Sequence, residues 1–211
     1  MRSYVTEFVG TFFLVLTVCL CVANGTQFAP LAIGSSLMIM VYMGGHVSGG
    51  HYNPAVTLAA ALRGALPASQ VAAYWGAQVA GALVAAAVSM FVTGKSFAPA
   101  PAADVSSVQA LVVELVYTFA LALVVLNSAT AKGTANNSFY GLAIGFTIVV
   151  AAFAGGPSSG GAFNPAVGLG PTLVHAIQGG GSWSALWIYL VGPLAGGALA
   201  APVFRLQNPQ G

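Results

Sequence analysis

The sequence predicts an all-α membrane protein with six transmembrane helices and two re-entrant half-helices, arranged as an inverted repeat. Three observations support this fold class. Of the 211 residues, 58% are hydrophobic and only 4% are charged, whereas a soluble domain carries about 25% charged residues. Six long apolar segments follow one another along the chain. The phrase GGHVSGGHYNPAVTL returns 111 positions later as GGPSSGGAFNPAVGL.

Each apolar segment is a candidate membrane span, because a helix needs roughly 20 apolar residues to cross the hydrocarbon core of a bilayer. The spans leave no room for a separate catalytic domain, so we expect no enzyme activity and no cofactor. Five basic and three acidic residues are too few for a nucleic-acid surface. The chain is therefore expected to form one transmembrane domain over residues 1–211, in contact with lipid. The predicted spans are 5–24, 29–45, 69–92, 108–129, 139–155 and 183–204.

The chain also repeats itself outside the doubled phrase. TEFVGTFFLVLTV near the start is similar to VELVYTFALALVV, which pairs Glu7 with Glu114, and YWGAQVAGALVAA is similar to YLVGPLAGGALAA. Three matches in the same order indicate two homologous halves, approximately 1–92 and 108–211, with three spans each. Because three is odd, the second half must enter the membrane from the opposite face, as in an inverted repeat.

Each copy of the doubled phrase is expected to start a new, short helix. Asparagine is a preferred N-cap and proline is favoured at the first helical position, which places the two starts in Asn53-Pro54-Ala55 and Asn164-Pro165-Ala166. Irregular backbone at membrane depth is tolerated only where it is buried in protein or lines a water-filled cavity. The predicted ladder of carbonyl acceptors along such a path comprises Gly49, Gly50 and His51 in the first copy and Gly160, Gly161 and Ala162 in the second.

Inverted symmetry would bring the two half-helices together, N-terminus to N-terminus, near the middle of the membrane. Each terminus carries roughly half a positive charge, and the side-chain amides of Asn53 and Asn164 would donate hydrogen bonds into the path. Such a centre repels cations and accepts small neutral solutes. We expect no metal site, because no cluster of His, Cys, Asp or Glu has ligand spacing. A secondary transporter and a non-conducting structural membrane protein remain alternatives, although coupled transport usually needs ionisable groups along the path.

These features together resemble the major intrinsic protein family, which comprises aquaporins and glycerol facilitators. The resemblance rests on HVSGGHYNPAVTLA, on GPSSGGAFNPAVGLGP and on the glutamates in the first and fourth spans. It implies a homotetramer with one pore per subunit. It also implies that Glu7 and Glu114 are buried and accept hydrogen bonds from the re-entrant loops, and that His51 lines the inner vestibule.

One position departs from the family pattern. An arginine directly follows the second Asn-Pro-Ala motif in most aquaporins, whereas this chain has Val167. The resemblance places the rest of the selectivity filter at Ile33, Ala152 and Gly161, where water-selective members usually have an aromatic residue and a histidine. It therefore implies an apolar, wide filter that passes water and solutes such as hydrogen peroxide, ammonia, urea or glycerol. Alternatively, a neighbouring side chain or water replaces the arginine, or the channel is inactive.

The basic residues indicate the orientation in the membrane. With six spans, Lys95 lies on one side and the other four basic residues lie on the opposite side. Cytoplasmic loops carry the excess of lysine and arginine, so both termini are expected in the cytoplasm, and we expect the protein in the cell membrane. The four residues on the cytoplasmic side are Arg2, Arg63, Lys132 and Arg205.

Overall fold

The computed structural model describes residues 1–181 and 183–209. Within these ranges the chain forms helices and connecting loops, with three single turns of 3₁₀-helix. The α-helices are α1 (Arg2–Asn24), α2 (Ala29–Ser48), α3 (Pro54–Arg63), α4 (Val71–Thr93), α5 (Ser107–Ala129), α6 (Tyr140–Ala154), α7 (Gly156–Ser159), α8 (Pro165–Ile177) and α9 (Leu186–Gln207).

Five helical segments in the described residues are long and apolar enough to cross a membrane. They contain α1, α2, α4, α5 and α9, and they match five of the six predicted spans. The sixth predicted span, 139–155, corresponds to α6, which has only 15 residues. At 1.5 Å per residue, α6 is about 22 Å long, shorter than the hydrocarbon core of about 30 Å.

The short length of α6 comes from a break that the sequence repeat explains. Adding 111 to the bounds of α2 gives 140 and 159, so α6 and α7 together are the counterpart of α2. Pro157 stands where α2 has His46. Proline has no N–H to donate and its ring clashes with the carbonyl four residues earlier. The helix is therefore interrupted at Gly155, and α7 continues after it.

The helices pack in matching pairs. In each half, the first and third spans are in contact, as α1 with α4 and α5 with α9. Glycine makes both contacts close, since a Cβ on Gly81 would meet the Phe8 carbonyl and one on Gly196 would meet the Leu115 carbonyl. The half-helices pack across the halves, α3 against α9 and α8 against α4. Small residues at such contacts are typical of helices packed in membranes.

Candidate functional site: a channel between two half-helices

The segments before the two half-helices share one unusual backbone path. We call residues 49–53 the first loop and residues 160–164 the second loop. In the first loop φ is +90° at Gly49, +62° at Gly50 and +48° at Tyr52. The second loop repeats these angles, with +92° at Gly160, +66° at Gly161 and +49° at Phe163. Positive φ is readily adopted by glycine and is uncommon for an aromatic residue, so the path needs support from outside the loops.

The capping asparagines join the two loops to each other. Asn53 Oδ1 accepts from the Ala55 backbone N–H at 2.9 Å, and its Nδ2 donates to the Phe163 carbonyl at 2.9 Å. Asn164 does the same, as its Nδ2 donates to the Tyr52 carbonyl at 2.9 Å. A side-chain amide nitrogen carries two hydrogens. One is therefore used between the loops, and the second has no acceptor among the described residues.

Glu7 on α1 holds the first loop. Its carboxylate is fully buried and accepts backbone N–H bonds from His51 at 2.9 Å and Tyr52 at 2.7 Å. The Ser48 hydroxyl donates to it at 2.7 Å, and Gln78 Nε2 on α4 donates at 2.8 Å. Ionisable groups are costly at membrane depth and are almost always paired there. Four donors from three parts of the chain supply that pairing.

Glu114 on α5 holds the second loop in the same way. Its buried carboxylate accepts backbone N–H bonds from Ala162 at 3.0 Å and Phe163 at 2.6 Å, and the Ser159 hydroxyl donates at 2.8 Å. The third pair of repeated segments begins at Tyr74 and Tyr189, an offset of 115 residues, and puts Pro193 where α4 has Gln78. Because proline offers no donor there, this carboxylate has three donors where Glu7 has four.

Two tyrosines that the sequence reasoning did not single out brace the same loops. The Tyr74 hydroxyl donates to the Ser48 carbonyl at 2.8 Å, and the Tyr189 hydroxyl donates to the Ser159 carbonyl at 2.5 Å. Both rings are buried. The signal was present in the sequence, since both tyrosines open the third repeated segment and both serines stand five residues before a capping asparagine.

A polar chain accompanies the first loop only. Gln78 Nε2 also donates to the Thr57 hydroxyl at 2.8 Å, and this hydroxyl lies 3.2 Å from His51 Nδ1. The Thr57 hydroxyl donates in turn to the Asn53 carbonyl at 3.1 Å. Sequence reasoning missed Gln78 and Thr57, because neither has a polar counterpart in the repeat. Around the second loop, the equivalent positions are Pro193, Gly168 and Ala162.

A narrow central cavity runs between the two loops. Its volume is about 30 Å³, enough for two or three water molecules at roughly 10–15 Å³ each. The polar side chains on its wall are His51, Asn53 and Asn164, and the remainder is largely aliphatic. The cavity brings together all four residues of the expected selectivity filter, Ile33, Ala152, Gly161 and Val167, and also Val56, which follows the first motif.

A wider vestibule of about 670 Å³ lies on one side of this cavity. His51 and Val125 line both spaces, and His46 and Gly49 also line the vestibule. No donor within residues 1–181 and 183–209 bonds to the six loop carbonyls expected to serve as acceptors. These carbonyls belong to Gly49, Gly50, His51, Gly160, Gly161 and Ala162.

The fold and this site together define a transmembrane channel: two half-helices start at one narrow cavity within a bundle of apolar helices. The chain belongs to the major intrinsic protein family, whose model, described as "Major intrinsic protein", matches residues 1–204. The family and the fold expected from the doubled phrase are thereby confirmed.

Known relatives agree with this assignment. Aquaporin NIP1-1 of Oryza sativa subsp. japonica is 39% identical over 221 residues, covering 99% of this chain and 76% of the relative. Nodulin-26 of Glycine max is 36% identical over 216 residues, covering 98% and 78%. The X-ray structure of the aquaglyceroporin from Plasmodium falciparum shares the fold, with a TM-score of 0.86 at 22% identity over 96% of this chain and 94% of that one.

The comparisons establish the general function. The protein is a multi-pass integral membrane channel for water and small uncharged solutes, and members of its family are channels rather than enzymes. The predicted function class is confirmed at this level.

Proposed function

We propose that solutes pass in single file through the central cavity and exchange hydrogen bonds with the amides of Asn53 and Asn164. The observation that carries the proposal is the reciprocal bonding of the two loops, which fixes both amides on the cavity wall. Two half-helix N-termini add roughly half a positive charge each. Cations are therefore repelled at the centre, while a neutral solute with an acceptor oxygen is stabilised. The free loop carbonyls accept hydrogen bonds from the solute on either side.

We further propose that Val167 broadens the range of solutes. A valine offers neither the charge nor the donors of the family's usual arginine, and Ile33, Ala152 and Gly161 add no polar side chain to the filter. Urea, glycerol, ammonia and hydrogen peroxide would then pass with water. Proton and cation exclusion would rest on the two asparagines and the helix N-termini.

The remaining features of the proposal concern assembly and placement. The resemblance to aquaporins favours a homotetramer in the cell membrane, with residues 1–211 as one domain and one pore per chain. Both termini would face the cytoplasm. The positions of the basic residues support this orientation. Arg63 and Arg205 lie close together, since Arg205 donates to the carbonyl of Leu62, the neighbour of Arg63, and Arg63 donates to Thr130 at 3.0 Å. Lys95 donates to the Ala23 carbonyl at the C-terminal end of α1, whereas Arg2 stands at its N-terminal end.

The test of the filter is Val167→Arg in proteoliposomes, with water, urea, glycerol and proton fluxes measured on one preparation. Val167→Met is the matched control, since it adds length without charge. We expect Val167→Arg to lower urea and glycerol fluxes more than water flux, and to lower any proton leak. Val167→Met should leave the proton leak unchanged. Rejection of urea and glycerol by the wild type, with the same ranking in the arginine variant, would refute the broad filter.

A further inference from the structure

We propose that a second cavity, away from the pore, binds a small aromatic carboxylate. This side cavity lies between α1, α4 and α8 and has a volume of about 270 Å³. An engineered cavity of about 150 Å³ with apolar walls is large enough to bind benzene. Its walls include Cys19, Ser89 and Val174, with Lys95 and Ser96 also on the lining.

The sequence repeat shows why this cavity exists. The first repeated segments are offset by 107 residues and the third by 115 residues. The positions equivalent to Cys19 and Ser89 in the other half of the molecule are therefore Leu126 and Phe204. Both are fully buried there and belong to one apolar cluster. A leucine and a phenylalanine fill that site, whereas a thiol and a hydroxymethyl group leave the side cavity open. The missing volume therefore has the size of an aromatic ring.

The same comparison indicates the chemistry of the occupant. The Arg63 guanidinium lies 4.8 Å from the centre of the Phe204 ring, a cation–π contact, and donates to the Thr130 carbonyl at the end of α5. In the side cavity Lys95 Nζ plays the equivalent part, since it donates at 2.8 Å to the Ala23 carbonyl near the end of α1. Ala23 and Thr130 are equivalent positions, because the first repeated segments are offset by 107 residues. A ring in the side cavity would lie beneath a cation, as Phe204 does.

The polar groups of Lys95 and Ser96 on the lining of the side cavity favour an occupant whose ring has a negatively charged group. Lys95 forms no salt bridge with a carboxylate in the described part of the chain, and its ammonium has two further hydrogens to donate. Ser96 is hydrogen-bonded to His175 Nδ1 at 2.9 Å and lines the same wall. The carboxylate would therefore lie towards Lys95 and Ser96, with the ring towards Cys19 and Ser89.

The experiment is fluorine NMR of 4-fluorobenzoate with the intact channel in lipid nanodiscs, and 4-fluorobenzyl alcohol serves as the uncharged probe. Wild type should show saturable binding of the benzoate, and Ser89→Phe, which supplies the counterpart's own side chain, should abolish it. Cys19→Leu fills the cavity from α1 and tests the same point if Ser89→Phe does not fold. Val92→Phe is the matched control, because Val92 on α4 is exposed and should not affect binding.

The charge is tested separately. Lys95→Gln should weaken benzoate binding roughly two- to fivefold, the range for a partly solvated ion pair, and should leave binding of the alcohol unchanged. The absence of saturable benzoate binding to the wild type would refute the site, as would equal binding to Ser89→Phe or Cys19→Leu. Equal affinity for the alcohol and the benzoate, with no effect of Lys95→Gln, would refute the recognition of a carboxylate.

Discussion

The first and second loops share one backbone path and differ in the side chains around them. Each loop has two glycines and one aromatic residue at positive φ, and each is held by a buried glutamate, a serine and a tyrosine. Around the first loop lies a chain of polar groups, Gln78, Thr57 and His51. Around the second loop those positions are occupied by proline, glycine and alanine. The glutamate, the serine and the tyrosine that hold the strained backbone are therefore the same in both halves, and the polar groups packed around them differ.

The two ends of the helix bundle also differ, in how side chains fill the space between the helices. Leu126 and Phe204 fill the site at one end, while Cys19 and Ser89 leave the side cavity open at the other. Packing in this protein is thus not dictated by the repeat. Each half keeps the helix contacts made by glycine, and each half uses different side chains to fill the space between the helices.

The largest expected effect comes from removing the support that both loops share. Glu7→Ala removes the acceptor of four buried donors, and Glu114→Ala removes the acceptor of three. Each buried donor left unsatisfied costs about 1–3 kcal/mol of stability. We expect both variants to lose assembled protein, and Glu7→Ala to lose more. Size-exclusion chromatography of the purified channel measures the loss. Asp104→Ala, which removes the third acidic residue at an exposed position, is the control and should assemble normally.

Yield of assembled protein and solute selectivity, measured together, distinguish a glutamate that braces a loop from one that acts on the permeation path. If either alanine variant assembles at wild-type yield but ranks solutes differently, the glutamate acts on the permeation path and does not brace the loop.

The next largest effect tests the contrast in packing. Phe204→Ser makes the filled site resemble the open one, and loss of a buried phenylalanine side chain typically costs about 3–5 kcal/mol. We expect a correspondingly lower thermal stability in detergent. Phe91→Ser is the matched control, because Phe91 is 88% exposed and the change should have little effect on packing. Equal stability of Phe204→Ser and wild type would show that the apolar cluster adds little to the fold.

A smaller effect tests the shared centre of the pore. Asn53→Ala and Asn164→Ala each remove a cap, at about 1 kcal/mol, and one bond between the loops. Both should lower water flux in proteoliposomes, since each removes a donor from the central cavity. Because the two asparagines have equivalent contacts, we expect similar losses. Undiminished flux through a normally assembled Asn164→Ala channel would contradict their role as donors.

The sequence predicted the features that follow from local chemistry. Asparagine and proline side by side predicted the starts of α3 and α8. The role of Glu7 and Glu114 at the loops came from the resemblance to the family and not from local chemistry. The predicted spans 29–45 and 139–155 end at the glycines of the doubled phrase, because glycine disfavours a helix interior. The end of α6 was therefore predicted, whereas the continuation of α2 to Ser48 and the short helix α7 were not. Gln78 was missed because an amide in an apolar segment has no local signature, and its partners are distant in the chain. The side cavity depends on residues from three helices, so only the assembled bundle shows it.

The smallest expected effect concerns a buried threonine that each half has at an equivalent position. Thr11 and Thr118 occupy equivalent places, four residues after Glu7 and Glu114. Both side chains are fully buried, and their hydroxyls have no hydrogen-bond partner in the described residues. A buried hydroxyl without a partner is unfavourable, and replacing it by a methyl group of the same shape removes that cost.

Thr11→Val and Thr118→Val should therefore leave thermal stability unchanged or raise it by at most about 1 kcal/mol. The two changes should have equal effects if the halves are equivalent here. Thr57→Val is the contrasting variant, because its hydroxyl bonds to Gln78 and to the Asn53 carbonyl, and it should lower stability by about 1 kcal/mol or more. A loss of that size in Thr11→Val or Thr118→Val would show that the hydroxyl binds a group such as an ordered water. A loss in only one of them would show that the two halves differ behind the loops as well as beside the pore.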